Sequence, residues 1–175
     1  MSFIHLRLHT EYSLHDSILR ISELEKADGH KSFALTDDNN LFGAVKFYNK
    51  LRKAGKKPII GSEVTVETPY GIDTLVLLSK NRDSYKRIMH LLTSGYQSRE
   101  DKNDNVVIKW DDFLNLSRGN FVLSGGNGSL LFSLLNAKDK NALNYASDLK
   151  RAFGDDYFFE LHRLGQDGEN NYIDA

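Results

Sequence analysis

The chain's 175 residues, 40% hydrophobic and 27% charged with a formal net charge of −1, fit one domain that buries its core without a metal or disulfide staple. The absence of cysteine excludes a disulfide framework and a thiolate zinc site, and the near-neutral charge argues against a dedicated nucleic-acid-binding module. No apolar run approaches the ~20 residues of a membrane span and no secretory signal opens the chain, so a cytoplasmic protein without membrane contact is expected.

Residues 3–10 alternate strictly, with Ile4, Leu6 and Leu8 against His5, Arg7 and His9. That is the pattern of a β-strand with one core face and one polar face. A polar, turn-like stretch follows, with Asp16 and Ser17 as a helix entry; Ile18, Ile21, Leu24 and Ala27 fall at helical spacing before a stop at Gly29. Residues 32–36 form a short buried strand ending in Asp37-Asp38-Asn39-Asn40, and Ala44, Phe47, Tyr48 and Leu51 mark one face of a helix closed by Gly55. Residues 58–67 and 74–78 read as strands joined by Pro69-Tyr70-Gly71 turn chemistry, which makes a hairpin. Tyr85, Ile88, Met89 and Leu92 give another amphipathic helix, and the charged, unpatterned residues 97–105 are a candidate mobile loop.

An extended piece at 106–108 precedes a short helix at 110–116, and a strand at 120–123 leads into Ser124-Gly125-Gly126-Asn127-Gly128. Helices at 130–136 and 141–153, a last strand at 157–161 and the start of a helix at 170–175 complete the pattern. The alternation implies an α/β fold with a mostly parallel sheet. Polar residues gather where strands end, at His9 and Thr10, Asp37 and Asp38, Ser124 and His162. The C-terminal edge of the strands is where sites lie in α/β sheets and barrels.

The runs HLRLHTEYSLHD, ALTDDNNLFGAVKFY, KPIIGSEVTV, TLVLLSKN, FVLSGG and YFFELHRLG, in that order, resemble the N-terminal PHP (polymerase and histidinol phosphatase) domain. The closer likeness is to that domain in α subunits of bacterial DNA polymerase III. The resemblance implies an incomplete, distorted TIM-like (β/α)7 barrel whose last part lies past residue 175, so the chain is expected to be a C-terminally truncated PHP domain without the polymerase parts. Active PHP members hold up to three divalent metals at the strand ends. Matched to their blocks, the His-x-His pair is Arg7 and His9, and the Thr-Asp-His block is Thr36-Asp37-Asp38. Glu63 matches the bridging glutamate, Thr74 stands at a ligand His, and Gly126 stands at a ligand Cys. Leu164 stands at the late His, with His162 two residues before it as the other candidate.

The replacements point one way. A divalent site needs several neutral imidazoles or carboxylates at about 2.0–2.2 Å. Arg7 carries a permanent positive charge and repels a cation. His5 and His162 are candidate residual ligands, but His5 and His9 would lie about 13 Å apart on a strand, against about 6.6 Å for residues two apart. Two buried carboxylates without a metal repel each other, and Arg7 can supply the missing charge by pairing with Asp37, Glu63 or both. No metal and no catalytic residue are therefore expected.

Blander readings stand beside these. His9 and His5 can be hydrogen-bonded interior histidines, Asp38 and Asn40 can form the turn before the following helix, and residues 124–128 can be an ordinary glycine turn instead of a phosphate cradle. His15, His30 and His90 carry no supporting partners in the sequence. The six basic residues between 46 and 57 read as a solvated face, with a DNA-facing patch as the alternative. The leading expectation is a catalytically inactive domain that docks a proofreading exonuclease subunit and supports the rest of a polymerase chain, which would use Mg²⁺ in its own polymerase domain and carry the DNA contacts. The competing expectation is a metal-dependent phosphoesterase or exonuclease using His9, Asp37, Glu63 and His162 with Zn²⁺ or Mn²⁺.

Overall fold

In the computed structural model, which describes residues 3–14, 16–99 and 105–174, the sheet is organised around its longest strand, β2 (Lys57–Thr68). Before it come α1 (Ile21–Lys26), β1 (Ser32–Leu35) and α2 (Ala44–Lys53); after it come β3 (Gly71–Ser79) and α3 (Arg82–Gln97). The second half holds β4 (Ile108–Lys109), α4 (Trp110–Leu116), β5 (Asn120–Leu123), α5 (Leu130–Asn136), α6 (Asn141–Phe153), β6 (Tyr157–Phe158) and α7 (Glu169–Asp174).

Residues 57–60 of β2 pair in parallel with β1, and residues 61–68 pair antiparallel with β3. Gly61 sits at this change of partner. A Cβ there would stand 2.1 Å from the Leu77 carbonyl oxygen, so only glycine lets the two strands approach. The order β1-β2-β3-β5-β6, with β4 on β2, gives a six-stranded sheet in which β3 alone runs against the others. The strand directions are mostly parallel, as expected. Among the described residues the sheet is open, with no pairing between its two ends.

The main core lies on one sheet face, where Leu75, Leu77 and Val122 pack under α3, α4 and α6. A second cluster joins α1 and α2 to Phe33 and Leu35 of β1. The opposite face is thin: Ala34, Val76, Leu78 and Leu123 form its core, and beyond them opens a groove of about 1190 Å³. Leu6, Phe121, Phe158 and Phe159 line that groove and remain substantially exposed.

Several expectations need correction. Residues 4–9 do not form a regular strand. Ala34 N donates to His5 O, but Thr36 N donates to Leu8 O, not to Arg7 O. One extra residue is thus accommodated between the two bonds, as in a bulge, and strict alternation of faces is lost. Ile4 and Leu6 accordingly stay exposed, while Leu8 packs on the α1–α2 cluster. The first helix begins only at Ile21, because Ser17 is tied down in the preceding loop by bonds to His9 O and Leu19 N. Ile18 is left 98% exposed. Tyr48 and Met89 lie outside the buried stripes of their helices, which run through Ala44, Phe47 and Leu51 and through Ile88, Leu91 and Leu92. The last strand stops at Phe158, short of residue 161. Of the loop expected at 97–105, residue 97 is the last of α3 and residues 100–104 lie outside the described residues, as does His15.

Elsewhere local signals carry through. Asn81 accepts from the amides of Asp83 and Ser84 while Ser84 Oγ accepts from Asn81 N, a reciprocal cap that starts α3. The helices expected at 110–116, 130–136 and 141–153 form with those bounds.

Candidate functional site

The C-terminal end of β1 carries the first site residues. The chain past Leu35 keeps the same register along β2, with Leu35 opposite Ile60 and Asp38 opposite Glu63. Asn39 N donates to Glu63 O and Glu63 N donates to Asp37 O. Asn39 adopts a left-handed conformation (φ 49), which Asn tolerates, and its amide side chain bonds Thr65 N and Thr65 Oγ1. This fixes Thr36, Asp37 and Asp38 beside Glu63. The bulged first segment then lays Arg7 and His9 over the same strand ends.

Glu63 is the centre. Arg7 Nε donates to Oε2 of Glu63 at 2.6 Å, Arg7 Nη2 forms an ion pair with the same oxygen at 2.6 Å, and His9 Nε2 lies 3.0 Å from it. The Arg7 fork therefore closes on one oxygen, not on two in parallel. Its remaining nitrogen, Nη1, donates to the Gly125 carbonyl at 2.6 Å and lies 3.8 Å from Glu160 Oε2. Glu160 Oε1 in turn holds His162 Nε2 at 2.7 Å. On the other side His9 Nδ1 faces Asp16 at 3.9 Å. The result is a row of alternating acid and base, Asp16, His9, Glu63, Arg7, Glu160 and His162, crossing the strand ends from the first segment to the stretch after β6.

The charges act on one another. Burial pushes the Glu63 carboxyl up, but the His9 hydrogen bond and the Arg7 charge outweigh it and hold Glu63 below the usual carboxylate range. His9 is held above the usual imidazole range by its bond to Glu63, against an opposing effect of burial. Asp38 is raised by burial and by the nearby Glu63 and Asp16.

Asp37 belongs to a separate arrangement. It is fully buried and accepts from Thr10 N at 2.6 Å, from Thr10 Oγ1 at 2.8 Å and from Ser13 Oγ at 2.7 Å. Arg7 thus pairs with Glu63 and not with Asp37. Asp38 accepts from the Asn39 side chain, and Asn40 accepts from Phe42 N in the turn that precedes α2.

The remaining positions divide. Gly126 lies under the His162 ring, in a left-handed conformation (φ +60), and a Cβ there would stand 2.4 Å from His162 Cε1. Thr74 presents its carbonyl oxygen to Gly125, where a Cβ would come within 2.0 Å. Leu164 is 70% exposed, and its N–H caps the Glu169 carboxylate, so His162 and not Leu164 joins the cluster. His5 lies away from all of these, against Phe33 and His30.

Sequence reasoning missed Glu160, Asp16 and the Gly125 carbonyl. A signal for Glu160 existed: it stands two residues before His162 just after a strand, where period-two spacing puts both on one side. Replacing Gly126 with Ala is expected to cost about 2–3 kcal/mol, from left-handed strain and collision with the His162 ring. Urea denaturation reads the cost. Adding His162→Ala to the Gly126→Ala chain should recover the part that comes from the collision.

The resemblance implies a divalent metal cluster at these residues. The donors that would hold it are engaged: Glu63 by a guanidinium and an imidazole, Asp37 by three protein donors. Arg7, a fixed cation, rests on Glu63. Among the described residues no group of three or more His, Cys, Asp or Glu side chains is arranged to hold a metal ion.

Comparison with known proteins places these features in a family. The PHP domain family model matches residues 5–164. The chain is 36% identical over 180 residues to DNA polymerase III subunit alpha of Haemophilus influenzae, and 34% identical over 178 residues to that of Buchnera aphidicola from Acyrthosiphon pisum. The Escherichia coli K12 subunit is 34% identical over 180 residues. These alignments cover 98–99% of this chain but 15% of each relative, so the chain spans about 15% of the length of the curated relatives it matches.

Proposed function

The chain belongs to the PHP-domain family, and from that membership we propose that it is a catalytically silent scaffold and docking domain of a replicative DNA polymerase α subunit. The observation that carries this reading is Arg7. It stands where the family's first metal block has a histidine, and its guanidinium closes on the glutamate that would otherwise bridge metals. A resident positive charge on the protein takes over the electrostatic work of a cation, holding Glu63 ionised at the strand ends without a Lewis acid. Thr74, Gly126 and Leu164, at three more ligand positions, add no imidazole, thiolate or carboxylate.

The whole subunit would synthesise DNA with Mg²⁺ in its polymerase domain, and this domain would support it and receive the proofreading exonuclease subunit. A cytoplasmic location goes with that role; no helix among the described residues is long and apolar enough to cross a membrane. The closed TIM-like barrel belongs to the same proposal. The first segment and β6 flank the apolar groove, and Arg7 already reaches across the strand ends to Gly125 and Glu160. A further strand between those two edges would pair on both sides and cover Phe158 and Phe159. DNA contact through this domain would be weak, because Lys46, Lys50 and Lys56 of the basic stretch are engaged by Glu11, by Glu25 and by carbonyls of the α1 end.

Metal analysis after gel filtration, paired with a phosphoester hydrolysis assay in Zn²⁺ or Mn²⁺, tests the reading. The expected result is no metal retained at the Arg7 site and no hydrolysis. More than one tightly held ion per chain, with hydrolysis abolished by Asp37→Asn, would establish the phosphoesterase instead.

A further inference from the structure

A second histidine cluster lies at the other end of β1, away from the strand ends that carry Arg7. His5 pairs with Phe33 through the backbone, and His30 stands just before the strand. The two imidazole rings are 5.0 Å apart between centroids and tilted by 49°. Phe33 stacks on His5 at 5.8 Å, and Phe3 meets the same ring edge-on at 4.8 Å. Neither imidazole makes a hydrogen bond to another described residue, and His30 Nδ1 is buried without a partner. A buried, unpartnered ring nitrogen beside a second unengaged imidazole is unusual, because buried polar atoms are nearly always satisfied.

The separation has a chemical meaning. Zn–N bonds of 2.0–2.1 Å put each ring centroid about 3.2 Å from the metal, so two imidazoles at a tetrahedral angle have centroids about 5.2 Å apart. The observed centroid separation of 5.0 Å lies close to that span. We propose that His5 and His30 form a two-imidazole site for a transition-metal cation such as Zn²⁺, with water completing the coordination shell.

Imidazole donors suit zinc, nickel and copper over magnesium and calcium, so the site selects that class. Burial and the neighbouring His30 hold His5 below the usual imidazole range, which keeps it in the neutral, metal-binding form. The aromatic rings pack against the face and edge of His5 and fix its orientation. A bound cation would staple residue 5 to the loop before β1, reinforcing a backbone pairing that otherwise rests on a single bridge. The site is independent of the proposed function, since none of its residues touches Glu63 or Arg7.

Titration of the whole chain with Zn²⁺, followed by NMR of the histidine side chains and by calorimetry, tests it. One equivalent should bind, reversibly enough to be lost on gel filtration, and shift the His5 and His30 ring signals while leaving those of His9 and His162 in place. His5→Gln and His30→Gln should each weaken binding by at least about tenfold, with far-UV circular dichroism unchanged. Absence of binding, affinity unaltered in His30→Gln, or shifts confined to His9 and His162 would each overturn the assignment.

Discussion

Replacing Arg7 with methionine is expected to lower stability by about 3–5 kcal/mol, the usual penalty for removing one partner of a buried ion pair. The side chains involved are largely shielded, with 22% exposure for Arg7 and 9% for Glu63. Without the guanidinium, Glu63 keeps only His9 as a partner at Oε2, Gly125 loses its partner, and Glu160 keeps only its contact with His162. The effect has a definite pH dependence. Glu63 is held below its ordinary value of 4.5, so its stabilisation is present above that value and is lost as pH falls through the folded-state value. The deficit of Arg7→Met should therefore be full near neutrality and shrink in acid, where wild type loses the same interaction. His9 behaves in the opposite sense. It is held above 6.5, so its stabilisation is present below 6.5 and disappears as pH rises through the raised value. Urea denaturation across pH, with the Arg7→Met/Glu63→Met double variant, completes the cycle. The double variant should recover part of the loss, because Glu63 is no longer left as a buried charge without its cation. A loss in the double variant equal to the sum of the two single-variant losses would show that the pair does not carry the stability.

Asp37→Asn is expected to destabilise by about 3 kcal/mol while leaving every activity of the isolated domain at its baseline. The carboxylate accepts from one backbone amide and two hydroxyls inside a fully buried pocket. An asparagine offers one oxygen in place of two, and its NH₂ group then confronts donors. Thr10 and Ser13 hold the short turn that carries the chain away from the first segment, so the loss should be felt there as faster amide exchange at residues 10–13. This variant separates the two readings of the strand ends. In a phosphoesterase the same substitution would also remove hydrolysis. Thermal denaturation and a hydrolysis assay on the same preparation distinguish the outcomes.

Most of the fold was legible because its signals are local. The β2–β3 hairpin follows from two β-rich runs around Pro69-Tyr70-Gly71, and α4, α5 and α6 follow from their apolar spacing. The first segment was misread because alternation assumes uninterrupted pairing. The extra residue between the bonds at His5 and Leu8 depends on β1, 28 residues away, and leaves no mark in residues 4–9 themselves. Tyr48 and Met89 were misplaced because helical spacing gives a broad stripe and neighbouring elements decide where its edge falls. At the site, an Arg7–carboxylate pair followed from charge once the resemblance had brought Arg7, Asp37 and Glu63 to the strand ends, but the choice of Glu63 over Asp37 did not. That choice rests on Thr10 and Ser13, whose polar side chains look like ordinary turn residues in the sequence. Glu160 was overlooked because an acid beside a strand end is usually solvated.

The span of the Arg7 contacts also orders events in folding. The β2–β3 ladder joins neighbouring stretches of chain across a two-residue turn, so closing it loses little chain entropy. The bonds from Arg7 reach partners 56 and 118 positions away, and can form only after β2, β5 and the first segment have all been brought together. Interactions made after the rate-limiting step act on escape from the native state and not on arrival. The guanidinium is therefore expected to work as a latch, governing how long the assembled domain stays shut, while the hairpin governs how quickly it gets there.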